Sequence, residues 1–91
     1  MRITAVHLEG GHGHEHIAKL QYHWDGDSTA HTSSRDSIVD WLEQSSSNTA
    51  YTEPRIGRGA QVYVRHVGYQ KFLQTKADGM WTNNLLQLPI F

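Results

Sequence analysis

The sequence predicts an α+β fold: a mostly antiparallel sheet of five to six strands with one main helix, in the order ββ(β)αβββ, and a short C-terminal helical turn. Three observations predict it. Residues 17–25 and 60–67 alternate between apolar and polar side chains, the mark of half-buried antiparallel strands. Residues 34–44 instead repeat their apolar side chains at helical spacing. The 91 residues leave room for a single domain, residues 1–91, in which one helix on one sheet is the economical arrangement.

Along the chain, residues 2–9 read as a strand. Ile3, Ala5 and His7 would point one way, and Thr4, Val6 and Leu8 the other. Gly10-Gly11-His12-Gly13 breaks the pattern. In residues 17–25, Ala18, Leu20, Tyr22 and Trp24 form the apolar face, opposite Lys19, Gln21, His23 and Asp25. Asp25-Gly26-Asp27-Ser28 is a turn signal, and residues 28–32 give a short third strand. In the helix, Ser33 or Ser34 provides the N-cap, and Asp36 suits the positive N-terminal end. Ile38, Trp41 and Leu42 form its apolar stripe, with Val39 beside it. Ser45-Ser46-Ser47-Asn48 ends it, since these side chains compete for backbone hydrogen bonds.

Residues 49–52 form a short strand and residues 53–59 a loop containing Pro54, Gly57 and Gly59. Val62 and Val64 face away from Gln61, Tyr63 and Arg65 in the next strand, and residues 70–75 return through Phe72 and Leu73. Ala77-Asp78-Gly79 is a turn. Residues 82–88 give one helical turn stopped by Pro89, with Leu85, Leu88 and Phe91 plugging one end of the core.

Composition limits the chemistry. There is no cysteine, which rules out disulfides, thiolate metal sites and cysteine nucleophiles. A small secreted domain commonly needs such staples, so a cytoplasmic location is expected. No segment is long and apolar enough to read as a membrane span. Residues 1–53 carry a net charge of −5 and residues 54–91 a net charge of +4. That asymmetry suits an anion-binding face or complementary self-association, unless the halves interleave and cancel. No Gly-x-Ser-x-Gly elbow, phosphate-binding loop or dinucleotide fingerprint occurs, so the sequence speaks against an enzyme more than for one.

Two segments stand out for chemistry. The first is Gly11-His12-Gly13-His14-Glu15-His16, which holds three of the seven histidines. If it is extended, His12, His14 and His16 share a face and could converge on a divalent metal, the one cofactor the sequence suggests. Otherwise they form a polar hairpin loop. The second is basic: Arg55, Arg58 and Arg65, with Tyr63, His66 and Tyr69 nearby. Arginine forks match phosphates and tyrosines offer stacking faces, so an anion, nucleotide or nucleic-acid surface is one reading. A soluble edge strand is the other.

Ile3-Thr4-Ala5-Val6, His14-Glu15-His16-Ile17, Val39-Asp40-Trp41-Leu42, Ala50-Tyr51 and the closing run from Thr75 through Asp78, Trp81 and Asn84 to Pro89 together resemble the bacterial family known as domain of unknown function 3892. The resemblance spans almost the whole chain and implies a small bacterial protein with no assigned activity; a phage-encoded protein that captures a ligand or partner fits the sequence equally well. The family pattern often has Asp where this chain has Asn83, so no carboxylate role is implied there.

If the first and last strands are neighbours, His14, Glu15 and His16 meet Asp78, Trp81 and Asn84 at one end of the sheet. These six residues then form the candidate ligand or partner surface, or they satisfy one another and fix the fold. The function expected is a non-enzymatic binding or interaction module. A homodimer is expected because the core of so short a chain is thin. The alternatives are a metal- or small-ligand-binding protein using the histidine loop, and nucleic-acid or nucleotide binding through the basic strand.

Overall fold

The computed structural model describes residues 1–91. Seven strands form one sheet in the order β3-β2-β1-β4-β5-β6-β7. They are β1 (Arg2–Leu8), β2 (Ile17–His23), β3 (His31–Ser34), β4 (Ala50–Thr52), β5 (Gln61–Val67), β6 (Gln70–Ala77) and β7 (Met80–Thr82). The single α-helix, α1 (Arg35–Gln44), connects β3 to β4. This crossover makes β1 and β4 parallel, while every other neighbouring pair is antiparallel. The α+β class and the mostly antiparallel sheet agree with expectation, but there are seven strands and not five to six.

The additional strand is β7. Asp78 (φ 53°) and Gly79 (φ 77°) are both left-handed, the requirement of a tight two-residue hairpin turn. Such a turn returns the chain antiparallel to β6, pairing Ala77 with Met80 and Thr75 with Thr82. Three residues are too few to show an alternation.

Strand β1 departs from simple alternation. Its register against β2 slips between Ile3 and Ala5, leaving Thr4 as an extra residue. The bulge lets Ile3 and Val6 both enter the core, each fully buried, where strict alternation sets them on opposite faces. In β2, Leu20 and Tyr22 are buried as expected; Ala18 is half-buried, Ile17 takes its place in the core, and Trp24 stays 36% exposed. Trp24 meets the edge of Trp41 at 5.1 Å between ring centres.

Helix α1 begins where Ser34 Oγ accepts the Ser37 N–H at 3.1 Å. Ile38 and Val39 are buried, and Trp41 and Leu42 pack partly against the same cluster. That cluster joins Ile3 and Val6 of β1, Ile17 and Leu20 of β2, Ala50, Val62 and Leu73, and is closed by Leu85 and Leu88. Leu85 lies in a 3-10 turn at Asn84–Gln87, as the helical signal before Pro89 suggested. Phe91 is not part of the plug; it is 46% exposed. The segment beyond this turn instead lies along β1, with a parallel bridge between Val6 and Ile90. Phe91 N–H donates to Val6 O, and Val6 N–H to Pro89 O. Strand β4 ends at Thr52, so this segment covers the part of the β1 edge that β4 leaves open.

Candidate ligand-binding face

The sheet has one face turned to α1 and one turned away. The register assigns the residues. Val62 pairs with Thr75 and Val64 with Leu73 on the helix side. Tyr63 pairs with Gln74, Arg65 with Phe72 and Lys76 with Trp81 on the other side. Arg2 and Tyr51 are partners across β1 and β4, and Arg2 and His23 across β1 and β2. The outer face therefore carries a row of aromatic and cationic groups from β2 to β7.

Over β1 and β2 this face holds a groove of about 640 Å³, whose lining includes Arg2, Gln21, His23, Ser28, Glu53 and Arg55. The volume lies within the usual range for small-molecule sites. Both terminal nitrogens of Arg2 are engaged there, while its Nε is buried without a hydrogen-bond partner. Its guanidinium donates to Glu53 Oε2 at 3.0 Å, to Asp27 O at 2.8 Å and to Trp24 O at 3.3 Å. Arg2 and Glu53 thus neutralise one another and form a fixed wall. Arg55 lines the same groove with no carboxylate beside it, and the Nδ1 of His23 is buried without a hydrogen-bond partner. The groove is thus lined by one cation, Arg55, that is in no ion pair.

Over β5 to β7, Arg65 organises a second region. Its Nη1 donates to Gln74 Oε1 at 2.8 Å, and Gln74 Nε2 donates to Thr82 O at 3.1 Å. The guanidinium carbon lies 5.9 Å from the Phe72 ring centre and 5.0 Å from that of Trp81. Lys76 Nζ is also 5.0 Å from the Trp81 ring. Both cations are held by aromatic rings and neither forms an ion pair with a carboxylate.

The histidine loop is not extended. His14–His16 form a 3-10 turn, so residues two apart no longer share a face. His14 is 8% exposed with its Nε2 unpartnered. His16 turns back to place Nδ1 3.2 Å from Glu9 O, its ring lying over Gly11. His12 is exposed. The three side chains therefore do not converge, and no three His, Cys, Asp or Glu side chains gather in a metal-binding arrangement. Glu15 folds over Gly13 and lies 3.4 Å from His16 Nε2.

The premise that joined this loop to the closing motif is corrected by the sheet order: β1 lies between β2 and β4, and β7 is an edge. The loop instead packs against β6. The His14–His16 turn and Trp81 of β7 therefore each lie against β6, and Trp81 meets Arg65 at 5.0 Å. Asp78 serves the hairpin turn, and Asn84 begins the second 3-10 turn. The basic trio is also divided. Arg65 lies on β5, Arg55 lines the groove and Arg58 is exposed in the loop between β4 and β5. Arg2, Gln21 and His23 were not anticipated, because nothing local marks residues that meet only across a strand register.

A family model described as protein of unknown function (DUF3892) matches residues 2–89. The chain belongs to that family. No curated protein and no solved structure gives a match. In this DUF3892 chain, the two motifs that carry the likeness, His14-Glu15-His16-Ile17 and the run ending at Pro89, both pack around β6: the histidine turn from one element, β7 and the second 3-10 turn from others.

Burial pushes the His14 imidazole below its ordinary value near 6.5, with the nearby Arg65 adding to the effect and Glu15 opposing it. The folded state therefore binds the His14 proton less readily than the unfolded chain. The contribution of His14 is fully favourable above pH 6.5 and is lost as the pH falls through 6.5 toward the depressed value. Urea titrations between pH 7.5 and 5 should show stability falling with acidity, and His14→Gln should flatten that fall. A variant with the same acid limb as the parent would assign the proton uptake elsewhere.

Proposed function

We propose that this protein is a non-enzymatic binding module that holds a small anionic ligand in the groove over β1 and β2. One observation carries the reading. Of the two arginines that line the groove, Arg2 is neutralised by Glu53 and Arg55 is in no ion pair. A cation without a counter-charge on a concave surface attracts an anion. A phosphate or carboxylate group suits it, since a guanidinium fork matches either one. Self-association at the sheet edge is a companion proposal, supported by Met80, which is 72% exposed on the edge strand β7.

Calorimetric titration with inorganic phosphate and with acetate tests the groove. Saturable binding is expected for at least one of them, and Arg55→Met should weaken it about tenfold or more, the scale of a charge-assisted hydrogen bond. Equal affinity in Arg55→Met, or no saturable heat with either anion, would overturn the assignment. Arg55 is exposed in a loop, so its replacement leaves the core untouched.

A further inference from the structure

We propose that the outer face of β4 to β7 is a stacking platform for single-stranded nucleic acid, separate from the anion groove and independent of it. The platform consists of Tyr51, Tyr63, Arg65, Lys76 and Trp81. The register sets all five on the face turned away from α1. Tyr51 pairs with Gln61, two residues before Tyr63 on the same strand, so the two tyrosines are diagonal neighbours across β4 and β5. They are 44% and 39% exposed, so both rings are reachable from solvent.

The charge around these rings selects the occupant. Residues 54–91 contain five Arg and Lys and a single acidic residue, Asp78, which is used in the turn. Lys71 is paired with Glu43 of α1 on the helix side, at 2.9 Å. Arg55 and Arg58 lie in the loop between β4 and β5, which leaves Arg65 and Lys76 on the strands, neither in an ion pair and both held on the Trp81 ring. Trp81 thereby positions two cations, and Tyr51 and Tyr63 supply the free ring faces. A partner with regularly spaced negative charges and flat apolar faces satisfies both halves of the surface at once. A single nucleic-acid strand has these properties, whereas a duplex hides its base faces. An acidic peptide would engage the cations and leave the tyrosines unused.

Fluorescence anisotropy with labelled oligothymidylate and oligoadenylate RNA, over a range of salt concentrations, tests the platform. Saturable binding is expected, with a log–log salt slope of about −0.7 for each phosphate contacted. Lys76→Met should make that slope shallower by roughly 0.7, the share of one phosphate. Tyr63→Ala should weaken binding about 5- to 100-fold, as loss of one stacked base does, with the slope unchanged. Circular dichroism would establish that both variants are folded, and Tyr51→Ala provides a second stacking test. Absence of saturable binding at low salt would overturn the proposal. So would affinity indifferent to both tyrosine substitutions, or equal competition by polyglutamate, since either result describes general attraction of a polyanion. Arg55→Met, which disables the groove, should leave oligonucleotide affinity within twofold, so failure of one site is distinguishable from failure of the other.

Discussion

Leu73→Ala is expected to remove about 2–5 kcal/mol of folding free energy, the usual cost of emptying a leucine site in a packed core. Leu73 is fully buried at the middle of β6, opposite Val64 and in one cluster with Ile38, Val39 and Ile3. The side chain thus couples the β5–β6 hairpin, the helix and β1. Domains of this kind have roughly 5–15 kcal/mol in all, and a small one lies near the lower end. The variant should therefore unfold at a much lower denaturant concentration with an unchanged slope, measured by urea titration of tryptophan fluorescence. A loss below 1 kcal/mol would mean that the hairpin opens without unfolding the remainder. The matter bears on function as well, because β6 also carries buried residues on its outer face. Phe72 and Gln74, which hold Arg65, are 7% and 6% exposed on the outer face of the same strand. A hairpin loosened at Leu73 would carry the Arg65 platform with it.

What could be read from the sequence follows from which contacts leave a periodic trace. Leu20 and Tyr22 in β2, Val62 and Val64 in β5, and Ile38 with Trp41 and Leu42 in α1 each bury one face of a regular element. Burial of one face imposes a period, and the period is visible along the chain. The Thr4 bulge breaks that period within a single residue, so alternation identifies β1 as a strand but assigns its faces wrongly. Strand β7 was hidden because the Asp78-Gly79 signal specifies a turn and only the structure shows how far the chain pairs after it. The histidine loop failed for a related reason. Alternating Gly and His suggest extension, but Gly10 adopts φ 78° and the close approaches of His16 to Gly11 and Glu15 to Gly13 permit a compact 3-10 turn.

The candidate site was least legible. Arg65 and Tyr63 could be nominated because arginine and tyrosine near one another on a strand carry a recognisable chemistry. The groove could not, because Arg2, His23, Glu53 and Arg55 are brought together by the register of β1 with β2 and by the parallel crossover to β4. Long-range pairing of this sort is decided by the whole core and leaves no local spacing to read. His14 and Trp81 show the intermediate case: both carry a local signal, but only the fold sets the histidine turn and β7 against the same strand, β6.

Gly59→Ala is the second substitution with a large expected effect, and it joins the fold to the groove. A methyl group at residue 59 would lie 2.0 Å from the backbone oxygen of Thr52. That contact cannot be relieved by rotating a side chain, because the obstruction is main chain. Thr52 is itself fixed: its N–H donates to Ala60 O at 2.9 Å, and its Oγ accepts the Ala60 N–H at 2.9 Å. These two bonds close the base of the loop between β4 and β5. The loop contains Glu53, which neutralises Arg2, and Arg55, the free cation of the groove. The alanine must either break the closure or displace β4 from its place beside β1, at a cost of about 1–3 kcal/mol, as in other overpacked sites. Arg58→Ala in the same loop is the control, since an exposed side chain usually changes stability by less than about 0.5 kcal/mol. Urea titration should separate the two variants by more than the error of either. Phosphate and acetate titrations should show weakened anion binding only for Gly59→Ala, at a temperature where both remain folded. If Gly59→Ala is as stable as Arg58→Ala, the backbone at Thr52 yields readily, and the loop is too compliant to hold Arg55 against the groove.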